Sequence, residues 1–205
     1  MDLESLLLGP RARNPKDDWK FPASYLRIGT FPERSARELR EHVLRLTEEV
    51  WTEEVLKTYL SEYLNAVILL HHERRHRLWH ELELDRVLAP LLGLLADFYG
   101  GGEPVLVCLD RLKAATTIPA HRDGPQIRPP WPDTLPPFFR RTHVPLVTSD
   151  EVEFVVAGER RHLGFGEVWE INNWRVHHVE NRGATDRVHL LVDWDAEAGS
   201  RRGAL

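Results

Sequence analysis

The glycine run Gly100-Gly101-Gly102 divides this 205-residue chain into two periodicities that one kind of secondary structure cannot satisfy. Before it, apolar residues recur every three or four positions: Leu39, Val43, Leu46 and Val50, then Val55, Tyr59 and Tyr63, and again Leu82, Leu84, Val87, Leu88, Leu91 and Leu95. That spacing gathers them into one stripe of a helix. After the glycines come short alternating segments at 104–109, 141–148, 152–157, 166–171, 175–180 and 186–193, bounded by Gly, Pro, Asn or Asp. These read as strands. Helices first and many short strands afterwards predict an α+β chain with a mainly β core and the helices packed on one side.

Ser35-Ala36-Arg37-Glu38 has the form of a capping box, which predicts a helix starting there. A second helix is predicted from about Trp79 to Tyr99, stopped by the glycines. Residues 1–34 carry Pro10, Pro15, Pro22 and Pro32 among polar positions, broken by Trp19, Phe21, Tyr25, Leu26 and Ile28. An extended arm laid across the body is expected. Residues 124–139 hold six prolines and end in Phe138-Phe139. That is too long for a tight turn and too apolar at its end for a linker, so a lid or insert beside a site is expected. The length suits one domain over 1–205, with arm and helices at 1–103, a β core at 104–194 and a tail at 195–205.

The formal net charge of −5 and the lack of a basic face make nucleic acid an unexpected partner. Cys108 is the only cysteine, so an internal disulfide is excluded and a reducing compartment is expected. The start, MDLESLLLGPRAR, places acidic residues ahead of three leucines where a signal peptide has basic ones, and no apolar run reaches a membrane span. The expectation is a soluble cytoplasmic protein. Nothing in the pattern requires subunits to pair.

Two stretches have metal-ligand spacing. His72-Glu73-Arg74-Arg75-His76 matches H-E-x-x-H, in which two histidines one helical turn apart hold zinc and the glutamate acts as the base of a peptidase. Here Arg74 and Arg75 bring positive charge beside the cation. Trp79 and Leu82 occupy the positions where the extended motif has Gly and His. The second stretch is His121-Arg122-Asp123, whose outer members share a face if the chain is extended. The third ligand then comes from another strand, and both His177 and His178 are in range. A polar turn with two surface histidines is the plainer alternative.

Arg141 and His143 share a face at the start of one strand, and Arg187, His189, Leu191 and Asp193 share a face of the last, opposite Val188, Leu190 and Val192. An arginine in so apolar a strand needs an anionic partner. A dicarboxylate gripped through two hydrogen bonds supplies one, and so does a structural salt bridge.

Three C-terminal runs resemble the aspartyl/asparaginyl β-hydroxylase family. They are Gly166-Glu167-Val168-Trp169-Glu170-Ile171-Asn172-Asn173, His177-His178-Val179-Glu180-Asn181 and Arg187-Val188-His189-Leu190-Leu191-Val192-Asp193. Upstream, Arg111-Leu112, Ile118-Pro119-Ala120-His121-Arg122-Asp123 and Arg141-Thr142-His143-Val144-Pro145-Leu146 resemble it too, so the likeness spans 104–194. The resemblance implies a double-stranded β-helix, the jelly-roll barrel of cupin-like oxygenases, that uses Fe(II), 2-oxoglutarate and O2. It implies His121, Asp123 and His177 as metal ligands, with His178 pointing away. It also implies that Arg141, His143 and Arg187 hold the cosubstrate, Arg187 by its far carboxylate.

Animal members lack the carboxylate ligand, which Asp123 supplies here as in members similar to bacterial free-amino-acid hydroxylases. A halogenase would need that position vacated. Ala115 replaces a glycine usual six residues before the first histidine. The implied reaction is hydroxylation of a carbon in an amino acid, free or in a peptide or protein, with the insert at 124–139, Trp131 and Arg128 as substrate contacts. The rival readings are a zinc metallopeptidase at His72 and His76 and a non-enzymatic cupin-like binding protein.

Overall fold

A computed structural model describes residues 23–53, 63–71, 73–123 and 140–196. In chain order these form β1 (Tyr25–Thr30), α1 (Glu33–Leu44), α2 (Glu48–Glu53), β2 (Leu64–His71), β3 (Arg74–Arg75), α3 (Arg77–Glu81) and α4 (Leu84–Tyr99). Strands follow: β4 (Glu103–Leu112), β5 (Thr116–His121), β6 (Arg140–Val147), β7 (Val152–Val156), β8 (Glu159–Arg161), β9 (Glu167–Ile171), β10 (His177–Asn181) and β11 (Arg187–Asp195). The last strand is central, buried on both faces, one apolar and one largely polar. Val188, Leu190 and Val192 join Val107, Leu109, Val144 and Leu146 in a core shared with Leu39, Leu88, Leu91 and Leu95 of the helices. Its other face, with Leu191 and Arg187, lines a cavity.

The sheet containing β11 has the order β1-β9-β6-β11-β4-β2-β3, and a second sheet has the order β5-β10-β7-β8. All their pairings are antiparallel. Between the sheets lies a second core of Ile118, Phe154, Val156 and Val179 from the smaller one and Leu112, Trp169 and Ile171 from the larger. Two antiparallel sheets face to face, with helices covering the outside of the larger, make the jelly-roll architecture expected of the chain.

Several local expectations are corrected. Helix α1 starts two residues before the capping-box serine, at Glu33, with Pro32 as N-cap and no side-chain cap. Phe31, fully buried and donating its N–H to the Gly166 carbonyl (2.8 Å), fixes the entry instead. Glu38 pairs with Arg86 of α4, which ties the two helices together. The stripe from Leu39 to Val50 is split between α1 and α2, and the helix expected from Trp79 is split at Glu83, whose φ of 49° is left-handed. Strand β2, which the periodicity does not single out, pairs along β4. Of the expected arm, β1 lies across β9. Its residues up to 22, Val55 and Tyr59, and the insert at 124–139 with Trp131 and Arg128 lie outside the described residues. No described helix is long and apolar enough to cross a membrane.

The helix-to-strand boundary follows from backbone space. Gly100 caps α4 in the left-handed region, and a Cβ on Gly102 would stand 2.3 Å from the Asp195 carbonyl oxygen. Ala115 stands in the left-handed region, at φ 52°, and donates its N–H to the Gly183 carbonyl (3.1 Å). An alanine in that region is strained by about 1–2 kcal/mol, whereas a glycine costs about 0.4–1 kcal/mol through the unfolded chain. Ala115→Gly is therefore expected to stabilise the protein slightly and raise its melting temperature by roughly 1–4 °C. A lower melting temperature would show that the turn is unstrained.

Candidate active site

Strand pairing brings the two histidines together. His177 of β10 stands opposite His121 of β5, and their ring centroids are 4.3 Å apart. Beyond the end of β5, the Asp123 N–H bonds the Asn173 carbonyl (2.9 Å), and an Arg122 N–H the Trp174 carbonyl (2.7 Å). These contacts dock the 121–123 segment on the turn that leads into β10 and aim Asp123 at the imidazoles. One Asp123 oxygen, Oδ1, lies 3.5 Å from His121 Nε2 and 4.0 Å from His177 Nε2. Donor atoms of the three residues all fall within 4.8 Å of one another, the only such group among the described residues.

Each imidazole is oriented by its own strand. His121 Nδ1 is 2.7 Å from the Pro119 carbonyl and His177 Nδ1 is 3.0 Å from the Arg175 carbonyl. A proton on each Nδ1 satisfies the carbonyl and leaves the Nε2 lone pairs facing Asp123, the tautomer a metal ligand needs. Burial, partly offset by the Asp123 charge, pushes His177 down to about 4, so it is neutral. Burial pushes the Asp123 carboxyl up, but the Arg141 charge, the two neighbouring imidazoles and a hydrogen bond from Asn173 outweigh it and hold it well below the usual carboxylate range. Two imidazoles and one carboxylate are a donor set suited to Fe(II). His178 faces the other way, with Nε2 3.2 Å from Glu180.

The second carboxylate oxygen is held apart from this cluster. Asp123 Oδ2 accepts from Arg141 Nη1 (2.6 Å) and Asn173 Nδ2 (3.2 Å). Arg141 gives Nε and Nη2 to the two oxygens of Asp193, each at 2.7 Å, across the β6–β11 pair that sets these residues opposite each other. The described hydrogen bonds of Arg141 thus go to two carboxylates of the chain. Asp193→Asn is expected to loosen Arg141 and weaken iron binding roughly 10–100-fold, as is usual for groups that orient metal ligands. A metal titration giving an unchanged dissociation constant would refute this.

A cavity runs inward from the three donors between the sheets. Leu64, Ala66, Leu106, Ile118, Ile171 and Leu191 give it apolar walls, and His143, Arg187 and Asp110 reach it too. Arg187 Nη1 bonds Asp110 Oδ2 at 3.0 Å, while Arg187 Nε and both His143 nitrogens are buried without a partner. Buried donors left unmet in a cavity wall suit an anionic ligand. Strand alternation on β11 reveals Asp193. Asp110 shares a face of β4 with Cys108 and Leu112, and in sequence only that alternation hints at it. Asn173 gives no sequence signal.

Among the described residues of the H-E-x-x-H stretch, 73–76 do not form a helix. His71 ends β2, Glu73 lies in a turn, Arg74 and Arg75 form β3, and the placement of His72 lies outside the described residues. His76 caps α3, its Nδ1 accepting from the Leu78 N–H at 3.3 Å. The one-turn spacing required for zinc is therefore lost to a hairpin.

Solved structures share the fold. AviO1 from Streptomyces viridochromogenes Tue57 is 17% identical with a TM-score of 0.57, over 85% of this chain and 90% of that one. A Pseudomonas putida prolyl-4-hydroxylase is 14% identical with a TM-score of 0.55, over 87% and 95%. HygX from Streptomyces hygroscopicus, crystallised with nickel, 2-oxoglutarate and hygromycin B, is 13% identical with a TM-score of 0.52, over 89% and 87%. No curated protein matches the chain in sequence. The family model described as aspartyl/asparaginyl beta-hydroxylase matches residues 93–196, just over half of the chain and all of the segment from the end of α4 through β11. With that match, the chain belongs to the aspartyl/asparaginyl β-hydroxylase family and is a 2-oxoglutarate-dependent Fe(II) oxygenase that uses O2.

Proposed function

We propose that this oxygenase hydroxylates a carbon of an amino acid, free or within a peptide, at a metal held by His121, Asp123 and His177. The observation that carries this reading is the convergence of one carboxylate oxygen and two imidazole Nε2 atoms at the cavity. When bound, iron with 2-oxoglutarate and O2 supplies the oxidising chemistry, yielding succinate and CO2 alongside the hydroxylated product. The residues of the chain bind and orient. Pro119 and Arg175 carbonyls set the histidine tautomers, Arg141 and Asn173 turn Asp123 so that Oδ1 faces inward, and the Arg141 charge keeps it ionised.

Arg187 and His143 hold the cosubstrate deeper in the cavity, Arg187 through the far carboxylate. Burial and then the Arg187 charge keep His143 neutral, so it can donate one hydrogen bond without adding charge. Leu64, Ala66, Leu106 and Ile171 exclude water and accept an aliphatic carbon. The test is a panel of free amino acids and short peptides with Fe(II), 2-oxoglutarate and O2. One class is expected to raise succinate formation above the substrate-free rate and to gain the mass of one oxygen. Succinate formation that no amino acid or peptide raises would contradict the substrate class.

A further inference from the structure

The inner end of the cavity carries a negative charge that a dicarboxylate cosubstrate does not call for. Arg187 stands opposite Leu112 and Asp110 opposite His189 on the β11–β4 pair, so Arg187 and Asp110 are diagonal neighbours on one face. Their ion pair is 3.0 Å long and buried, with side chains 1% and 9% exposed. Phe154 covers the guanidinium at 5.2 Å. Yet the pair is only half used, because Arg187 Nε and Asp110 Oδ1 are buried with no hydrogen-bond partner. Both nitrogens of neighbouring His143 are unpartnered as well.

A guanidinium carries five donors in a fixed plane and can serve two carboxylates. Arg141 does so in this protein, holding Asp193 through Nε and Nη2 and Asp123 through Nη1. Arg187 repeats half of that pattern, with a carboxylate on Nη1 and an open Nε edge. A second carboxylate on that edge would meet Arg187 and, beside it, the like charge of Asp110. Charges so close repel strongly where solvent is scarce. Without Asp110, however, the buried guanidinium would have no counter-charge.

We propose that Asp110 determines cosubstrate specificity: it holds Arg187 by one edge, and its charge lowers affinity for a 2-oxo dicarboxylate relative to a 2-oxo acid with an uncharged tail. This rests on the assignment of Arg187 to the far carboxylate of 2-oxoglutarate. Binding can be read without turnover, by anaerobic titration of the Fe(II)-loaded protein with 2-oxoglutarate and with 2-oxopentanoate, following the visible band of the chelate. The wild type is expected to prefer 2-oxoglutarate by less than about 30-fold, the low end of what an unopposed charge-assisted contact gives. Asp110→Asn keeps an oxygen for Nη1 and removes the charge. It is expected to bind 2-oxoglutarate at least about tenfold tighter with 2-oxopentanoate nearly unchanged.

A wild-type preference above about 30-fold, or an Asp110→Asn protein that binds 2-oxoglutarate no tighter, overturns the proposal. If that variant does not fold, the wild-type ratio decides alone. Arg187→Ala separates the two levels. If it leaves 2-oxoglutarate affinity unchanged, the assignment of Arg187 falls and the role of Asp110 falls with it. If it weakens binding while Asp110→Asn fails to strengthen it, only the role of Asp110 falls.

Discussion

His177→Ala is expected to abolish Fe(II) binding, and His178→Ala to leave it within about twofold of wild type, a difference far larger than the 10–100-fold typical of orienting groups. The two histidines are adjacent, but β10 turns their side chains to opposite faces of its sheet. His177 is 4% exposed, and its Nε2 points at Asp123 4.0 Å away. His178 is 18% exposed and pairs with Glu180. Removing His177 takes one of three protein donors, while removing His178 takes an outward contact to Glu180 worth about 1 kcal/mol or less. Equilibrium dialysis with iron determination checks both. The opposite ranking would mean that β10 is one residue out of register with β5.

The second large effect is expected from Arg187→Ala, which should act on two quantities at once. Losing a charge-assisted contact to the cosubstrate costs about 2–5 kcal/mol, which raises the 2-oxoglutarate dissociation constant by roughly 30- to 1000-fold or more. Iron should stay bound, because Arg187 makes no described hydrogen bond to His121, Asp123 or His177. Stability should also fall, by about 3–5 kcal/mol, because Asp110 is left as a buried charge without its partner. The double substitution Arg187→Ala with Asp110→Asn separates the two. It should recover most of the lost melting temperature and, because the repelling Asp110 charge is gone, only about tenfold of the lost affinity. Full recovery of wild-type affinity by the double variant would show that Arg187 serves only to neutralise Asp110.

The legible parts of the sequence were those where one periodicity decides the face. Valine and leucine at 188, 190 and 192 alternate with Arg187, His189, Leu191 and Asp193, and the structure divides them between the helix-facing core and the inter-sheet face. The same alternation separates His177 from His178. Local rules failed where tertiary contacts override them. Ser35 has the neighbours of a cap, but buried Phe31 and Pro32 start the helix earlier. The stretch from Trp79 to Tyr99 has one apolar stripe, but Glu83 adopts a left-handed backbone and breaks it.

Charge pairing was less legible still. The sequence marks Arg187 as needing an anion, but Asp110 is 77 residues away and only the β4–β11 register brings the two together. Arg141 likewise reads as a cosubstrate residue, and the sequence does not disclose that Asp123 and Asp193 sit on its three nitrogens. Those contacts join the Asp123 carboxylate and β11 in one hydrogen-bonded network.

The central claim, that His121, Asp123 and His177 hold iron at the mouth of a cosubstrate cavity, is tested most directly by anaerobic addition of Fe(II) and then 2-oxoglutarate to the wild-type protein and to His121→Ala, Asp123→Ala and His177→Ala. The wild type should develop the weak visible band of a 2-oxo acid chelated to Fe(II), saturating at one equivalent, and each variant should lack it. A wild type without the band, or a band of full strength in any of the three variants, would contradict the account.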